Sequence, residues 1–212
     1  MKRSPTVSAR PARAIPAEGT RSVIVSAAQR VLEDEGYADL SLRHVADAAG
    51  VAVGNLTYYF PNKQALVRAV IEALVEEFSA GMMQRFEDLS KSPVENFQAV
   101  IDWLITESAA RKTNRVMREL WVMALHDPFV AGAVDDFYDE LMGRAVLLLR
   151  RGQPGLTEQS AREIVHLATM ITEGSSVLYG TRPNRAVDLR AVTRVAADLL
   201  GGAVREKTGR PG

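Results

Sequence analysis

The residues best suited to recognition chemistry lie between Val53 and Tyr59, where small, polar and aromatic side chains occur without an acidic residue. If this segment is helical, Leu56 and Phe60 lie four residues apart on one face and turn inward. The outward face then carries the other side chains: Val53, Gly54, Asn55, Thr57, Tyr58 and Tyr59. Such a helix suits the major groove of DNA, because it presents hydrogen-bonding groups and no negative charge.

A second short helix is predicted just before this segment, and it would hold the recognition segment in place. Ser41 is a suitable N-cap, since its hydroxyl can accept from a free amide of the first turn. Apolar residues follow at helical spacing: Leu42, Val45, Ala46 and Ala49. Gly50 ends this helix, because glycine readily adopts the left-handed C-terminal cap. Residues 41–60 therefore predict a helix-turn-helix.

The segments before and after this motif each predict one further helix. Apolar spacing from Thr20 onward, ended by Gly36, predicts a helix that packs across the two short ones. Asn62 is expected to cap a long helix that reaches about Leu89. Lys63 would lie in the first turn, where a cation opposes the helix dipole and a DNA phosphate would offset it. The alternative for Lys63 is a solvated surface lysine.

These motifs together resemble the helix-turn-helix of the TetR family of bacterial repressors. The matching segments are Leu42-Arg43-His44-Val45-Ala46, Ala49-Gly50-Val51, Gly54-x-Leu56-x-Tyr58-Tyr59-Phe60 and Asn62-Lys63-x-x-Leu66. The resemblance covers roughly Thr20 to Leu74. Ala52 stands where the family often has a serine or threonine cap, and Thr57 where a tyrosine is common.

Composition excludes several classes of protein. The 212 residues are 47% hydrophobic, enough for a sizeable core, and include no cysteine, so disulfides and thiolate metal sites are absent. The three histidines, His44, His126 and His166, are too scattered for a metal site. No nucleophile elbow, Walker loop or GxGxxG occurs. We expect no cofactor, no bound metal, no membrane span and no enzymatic activity, in a cytoplasmic protein.

Charge is distributed unevenly along a chain whose formal net charge is zero. Up to Arg68 there are nine basic and six acidic residues, a surplus of three where DNA would bind. Residues 1–19 are rich in Pro, Ala, Ser and Arg and are predicted to be a disordered basic arm. Arg10 and Arg13 would follow the minor groove or phosphates. The alternative is an ordinary floppy terminus.

The rest of the chain predicts further helices and no strand, hence an all-α protein. Ser92-Pro93-Val94-Glu95 is a capping box that opens one helix. The helices that follow are predicted over residues 114–125, from Asp127-Pro128 to about Arg151, from Thr157 to Tyr179, and from Asp188 to Leu200, where Gly201-Gly202 would end the last one. The expected organisation is a three-helix DNA-binding domain over residues 20–78, a helical domain for dimerisation and ligand binding over residues 79–205, and a disordered tail over residues 206–212.

The helix from Ile164 to Tyr179 carries apolar or small residues around nearly its whole circumference. A helix of this kind must be covered on more than one side. The last predicted helix adds a further apolar face, which includes Val195 and Leu199. These two helices predict a four-helix seam between the subunits of a homodimer, as the family resemblance also implies.

Aromatic and methionine side chains on the C-terminal helices are candidates for a ligand cavity: Trp103, Met117, Trp121, Met123, Phe137 and Met170. The alternative is ordinary core packing. Glu173 interrupts a mostly apolar helix, and a buried carboxylate there needs a partner. Arg118, Arg144, His166 or a cationic ligand would serve. Structural pairing and ligand binding both stay open at this point.

The sequence therefore predicts a ligand-responsive transcriptional regulator, as the resemblance implies: a repressor that a small molecule releases from a pseudo-palindromic operator. Base or groove contacts are assigned to Arg43, Asn55, Thr57 and Tyr58, within a surface that includes Val53 and Gly54. Phosphate contacts are assigned to Ser41, Tyr59 and Lys63. The alternative is a helical ligand-binding or adaptor protein with a vestigial DNA-reading head; an α-helical enzyme lacks a catalytic constellation.

Overall fold

A computed structural model describes residues 17–182 and 184–209, and within them every regular element is helical. The α-helices are α1 (Ala17–Asp34), α2 (Leu42–Ala49), α3 (Val53–Tyr59), α4 (Lys63–Phe86), α5 (Pro93–Ala109), α6 (Arg111–Ala124), α7 (Pro128–Gly152), α8 (Glu158–Thr181) and α9 (Leu189–Lys207). A short 3-10 helix, Tyr37–Asp39, separates α1 from α2. The predicted all-α class is confirmed.

The local signals that predicted α2 and its turn are present in the structure. The Ser41 hydroxyl accepts from the His44 amide at 3.2 Å and begins α2. Gly50 adopts the left-handed conformation, φ +68°, and the Val51 amide reaches back to the Ala46 carbonyl at 3.0 Å. This closure satisfies the last carbonyls of α2 and turns the chain directly into α3.

Helix α4 joins the first three helices to the rest of the molecule. Asn62 caps it by accepting from the Ala65 amide at 2.8 Å, and the helix then runs without interruption for 24 residues, about 36 Å. Its apolar side packs against α1 at one end and along α7 at the other. One continuous core therefore includes the buried residues of α1 to α4 and those of α6 and the first half of α7.

Polar contacts also fasten α6 to the corner that follows α1. The Glu119 carboxylate accepts from the Tyr37 amide at 2.9 Å, and the Arg115 guanidinium donates to the Asp34 carbonyl at 3.0 Å. Gly36, with φ +90°, permits this close approach, since a Cβ there would meet the Glu119 carboxylate at 3.2 Å. The position of the first three helices is thereby tied to the position of α6.

A second core joins α5, α8, α9 and the end of α7. Asn114, at the start of α6, connects that helix to α5 and α8. Its amide donates to the carbonyls of Ser108 at 3.2 Å and Ser176 at 2.8 Å, and its oxygen accepts from Arg118 Nε at 2.8 Å. Because Asn114 is buried, these bonds fix the distance between α6 and α8.

Substituting Gly180→Ala should lower the free energy of unfolding by about 1–3 kcal/mol. The added Cβ would lie 2.2 Å from Asn114 Nδ2, a side chain that its three hydrogen bonds hold in place. Gly143→Ala is the matched control: it lies in α7 with nothing within 4 Å of the new Cβ, and should gain up to about 1 kcal/mol of helix propensity. Urea titrations of both variants give the comparison, and equal effects would refute the steric argument.

The ends of several helices differ from the sequence-based prediction: α4 ends at Phe86 and not near Leu89, and α6 begins at Arg111 and not at residue 114. Helix α1 begins at Ala17, three residues before Thr20, so residues 17–19 are helical and not part of a disordered arm, while residues 1–16, with Arg10 and Arg13, lie outside the described part. Helix α9 does not stop at Leu200 but continues to Lys207, so residues 206 and 207 are helical and not part of a disordered tail. Residues 210–212 lie outside the described part. The basic arm stays a prediction.

The reason for the error in α9 is a packing contact. Gly201 faces α5, and a Cβ there would come within 2.9 Å of Gln98 Nε2. The glycine therefore allows two helices to approach, and it does not cap one. Asp188 does precede α9, as predicted, but its side chain makes no capping hydrogen bond. The capping box predicted at Ser92 is present, and the side chains of Asp127 and Thr157 cap α7 and α8 at the predicted starts of those helices.

Candidate DNA interface and effector cavity

Helix α3 presents the predicted outward face to solvent. Leu56 and Phe60 are buried, whereas Val53, Gly54 and Asn55 are exposed. Tyr58 projects furthest, with 82% of its surface accessible. Its ring meets the edge of the Tyr59 ring at 5.2 Å between centroids, which restricts where the phenol can move.

Two members of the predicted interface are less accessible than Tyr58. Thr57 and Tyr59 are half-buried, and the Thr57 hydroxyl donates to the Gly54 carbonyl at 3.1 Å. That hydroxyl retains lone pairs only, so it can accept from a base or a bridging water. Ala52 provides no side-chain cap for α3, which agrees with its departure from the family pattern. The first amides of α3 are therefore open toward the same side.

The neighbouring positions on α2 differ in what they leave available. Arg43 is exposed and makes no ion pair with an acid in the described part of the chain. His44 Nε2 lies 3.2 Å from the Glu35 carboxylate and is thereby directed toward the end of α1. The Ser41 hydroxyl already accepts from His44, but its own proton is free to reach a phosphate oxygen.

Lys63 occupies a more structured environment than its sequence position suggested. Its ammonium donates to the Tyr37 carbonyl at 3.2 Å and lies 3.3 Å from the centroid of the Tyr37 ring. Partial burial lowers the pKa of Lys63 from its usual value. The ammonium has three donors, so this contact leaves donors for a phosphate, and the DNA role of Lys63 stays a prediction.

A cavity of about 80 Å³ lies between α4, α5, α6, α7 and α8. Most of its wall is apolar, and the aromatic members are Phe78, Phe86, Phe97, Phe137 and Tyr138. Met117, Phe137 and Glu173, three of the predicted ligand residues, line it. Their predicted convergence is seen, while ligand binding itself stays a prediction.

Trp103, Trp121, Met123 and Met170 do not line this cavity, and their placement there is corrected. The Trp103 ring lies across Gly81, where a Cβ would come within 2.3 Å of Cη2, and Arg85 covers it. Trp121 is linked to the wall by a hydrogen bond from its Nε1 to the Tyr138 hydroxyl. Met170 faces outward, with 70% of its surface accessible.

Glu173 has a partner that the sequence did not identify. Tyr138 accepts a hydrogen bond from Trp121 Nε1 at 3.0 Å, and its hydroxyl is a neighbour of the Glu173 carboxylate. Burial raises the pKa of Glu173 from its usual value, and the nearby hydroxyls of Tyr138 and Ser176 oppose part of that rise. The predicted cations are engaged elsewhere: Arg118 with Asn114, Arg144 with Glu76 and Glu140, and His166 with the Arg162 carbonyl.

Sequence reasoning missed Tyr138 and a polar stripe on α8 that faces the cavity. The stripe consists of Thr169, Thr172, Glu173 and Ser176. Their spacing of three, four and seven residues places them on one helical face. That spacing was visible in the sequence, but the apolar residues around the rest of the helix obscured it.

The opposite face of α8 is apolar and exposed, as is part of α9. The exposed residues are Leu167, Met170, Val177 and Leu178 on α8, and Val195 and Leu199 on α9. An apolar face of this kind on a helix calls for cover by another surface. Helix α8 therefore separates the cavity from the surface that the sequence assigned to the dimer seam.

No set of metal-binding side chains occurs among the residues that the structure describes. Within the same residues, every helix is too short or too polar to cross a membrane. The arrangement is that of a DNA-binding regulator: a helix-turn-helix unit with an open recognition face, joined by α4 to a helical domain with an internal cavity.

Comparison with known proteins identifies the family. Residues 24–70 match the model of the bacterial regulatory proteins of the tetR family, and residues 93–205 match the C-terminal domain of BetI-type transcriptional repressors. The second match alone covers more than half of the chain. The protein belongs to the TetR family of transcriptional regulators, whose members bind DNA operators and small-molecule effectors and act as dimers.

Individual relatives are similar at modest identity. The chain is 26% identical over 186 residues to the HTH-type transcriptional regulator BetI of Ectopseudomonas mendocina, covering 85% of this chain and 91% of that protein. It is 26% identical over 109 residues to BetI 1 of Chromohalobacter salexigens, spanning 51% of this chain and 54% of that one. These relatives are transcriptional regulators and not enzymes.

Solved structures share the fold. A regulator assigned to the TetR family from Mesorhizobium loti superimposes with a TM-score of 0.72 at 16% identity, over 91% of this chain and 98% of that one. The transcriptional regulator FadR from Bacillus subtilis, solved with stearoyl-CoA, gives 0.66 at 20% identity over 86% and 98%. The predicted family and fold are confirmed.

Proposed function

We propose that this protein is a homodimeric repressor that a small molecule releases from a pseudo-palindromic operator. The observation that carries the proposal is the open face of α3, which bears no acid and is supported from behind by the buried Leu56 and Phe60. Two such helices, related by a two-fold axis, would enter successive major grooves about 34 Å apart. A regulator of bacterial transcription acts on chromosomal DNA, hence in the cytoplasm.

In this proposal the seam between subunits is formed by α8 and α9. Their exposed apolar residues cluster on faces that point away from the cavity and from the core. The seam would fix the spacing between the two reading heads. Spacing matters because both half-sites must be contacted at once for the affinity gain that bivalent binding provides.

The effector would act on that spacing through the cavity. Helix α4 contributes Phe78, Met82 and Phe86 to the cavity wall and begins at Lys63 beside the head. A cavity of about 80 Å³ is smaller than the roughly 300–1,000 Å³ of drug-sized ligand sites. A larger effector would therefore move the walls apart and tilt α4. Release of about 100-fold requires about 2.7 kcal/mol of preference for the released conformation.

The proposed contacts divide into two roles. Arg43, Asn55, Thr57 and Tyr58 would read base edges, each worth about 1–3 kcal/mol of discrimination. Ser41, Tyr59 and Lys63 would contact phosphates and fix the register on the duplex.

Lys63→Met should weaken binding to operator and to unrelated DNA alike, and should lower the slope of log affinity against log salt by about one per subunit. Methionine keeps the apolar stem over Tyr37, so the head should stay folded. Asn55→Ala should instead weaken operator binding and relax discrimination at one base position. Fluorescence anisotropy across a salt series, with DNA from the region upstream of the gene and a scrambled duplex, separates the two.

The same titration tests the proposed function as a whole. A wild-type protein that binds its upstream region no more tightly than scrambled DNA would contradict the repressor and favour the vestigial head. If Lys63→Met and Asn55→Ala behaved identically, the division of roles would be wrong.

A further inference from the structure

Glu173 is the single formally charged residue on the wall of the cavity, among the described residues, and no lysine, arginine or histidine accompanies it there. It lies in an otherwise apolar and hydroxylic surface built from five helices. An anionic group that entered would meet a carboxylate and no counter-charge, and it would lose its water without replacement. The cavity wall therefore disfavours a ligand with a negative charge and favours one with a positive charge.

The hydroxyl groups of the wall add a second kind of discrimination. Four of them donate their protons to protein oxygens: Ser108, Thr113, Thr169 and Ser176. The Tyr138 hydroxyl accepts from Trp121 Nε1 and is a neighbour of the Glu173 carboxylate. These groups offer lone pairs to a ligand and few protons. The wall therefore favours a ligand that donates hydrogen bonds.

Thr172 is the exception, and it marks where a polar group is missing. Only 7% of the Thr172 surface is accessible, and Oγ1 has no hydrogen-bond partner. It lies next to Glu173 in sequence and lines the same cavity. Buried hydroxyls are almost always paired in native proteins, so an unpaired one next to the half-buried Glu173 carboxylate points to a group that a ligand supplies.

We propose that the cavity binds an amphipathic amine in its protonated form, with the ammonium N–H groups on Glu173 and Thr172 and an apolar body against Phe78, Phe97 and Phe137. The ammonium would bring the positive charge and the donors that the wall lacks. The apolar body would contact the faces of the rings, where a nearby cation is also favoured. The inference rests on the proposed effector role of the cavity and names the chemical class of effector.

Three probes with one body and different head groups test the class directly: 4-phenylbutylamine, 4-phenylbutanol and 4-phenylbutyrate. Isothermal titration of the full-length protein without DNA, near pH 7.5, should give a dissociation constant for the amine at least about tenfold below that of the alcohol. The butyrate should show no binding. Equal or tighter binding of the butyrate, or no binding of the amine, would overturn the proposal.

Variants then locate the head group. Glu173→Gln should weaken binding of the amine by about tenfold and leave binding of the alcohol unchanged. Thr172→Val should weaken binding of the amine by about three- to fivefold. Glu163→Gln is the matched control, because it removes a carboxylate from the same helix on the outer side, where Glu163 pairs with Lys207. Unchanged amine binding in both cavity variants would refute the site; circular dichroism verifies their folding, and Thr172→Val provides the result if Glu173→Gln does not fold.

Because no DNA is present, this result is independent of the repressor assignment. Amine binding without operator binding would support the ligand class and refute the regulator, whereas operator binding without amine binding would do the reverse. If both hold, adding the amine to the protein–operator complex should lower its anisotropy, and adding the butyrate should not.

Discussion

Leu199→Glu is expected to convert the protein from dimer to monomer and to lower operator affinity by about 100-fold or more. Leu199 is exposed on α9, four residues after the exposed Val195. In a two-fold seam both subunits would carry the new carboxylate, and each carboxylate would be buried without a partner. Loss of the second half-site removes an effective concentration in the millimolar range, which corresponds to factors of 10²–10⁴.

Leu147→Glu controls for the loss of an exposed leucine. Leu147 lies on α7 and is 67% accessible, against 68% for Leu199, so the two changes are chemically identical and differ in position. Light scattering coupled to size exclusion gives the mass, and anisotropy gives the affinity. A monomer that retained full operator affinity, or a Leu199→Glu dimer as stable as wild type, would contradict the proposed seam.

Asn114→Ala should be the most destabilising of the single substitutions considered. It would remove the amide that donates to the Ser108 and Ser176 carbonyls and accepts from Arg118 Nε in a buried site, and would leave Arg118 only its bonds to the carbonyls of Ser176 and Val177. An unsatisfied buried group costs about 1–3 kcal/mol, so a loss of about 3–5 kcal/mol is expected. For a chain of this size that lowers the melting temperature by roughly 6–20 °C.

Asn114→Asp separates the two halves of this network. The carboxylate would keep its bond to Arg118 but would face the two carbonyls without donors, so a large loss is still expected. If the aspartate variant were as stable as wild type in a thermal melt, the bonds to Ser108 and Ser176 would not be what joins α6 to α8.

The helix-turn-helix could be predicted because its signals are local. The cap at Ser41, the left-handed Gly50 and the buried pair Leu56 and Phe60 all fall within 20 residues, and each acts through contacts a few residues away. The same holds for the capping box at Ser92. Where short-range rules decide the conformation, the sequence suffices.

The cavity could be predicted less well, because its wall depends on contacts between distant helices. When a helix is apolar on almost every side, its sequence does not reveal which face turns toward the cavity. The sequence therefore predicts Met170 at the cavity, although its side chain faces outward. The Trp103 ring packs against Gly81 of another helix, α4, and does not line the cavity. From the sequence, Gly201 is expected to end the last helix. In the structure it leaves room for Gln98 of α5, which lies about 100 residues earlier in the chain. Likewise, the neighbour of the Glu173 carboxylate is Tyr138 of α7 and not a basic residue.

The continuous core described for α1 to α4 has an evolutionary consequence. Val116 and Leu120 of α6 and Val130 of α7 complete the apolar interior on which the reading unit rests. The DNA-reading unit, α1 to α4, is therefore not an independent domain that recombination can exchange freely between regulators. A transplanted head would retain its specificity for DNA only if the recipient supplied equivalent side chains at those positions, so changes of operator preference should arise more readily by substitution on the face of α3 than by exchange of whole domains.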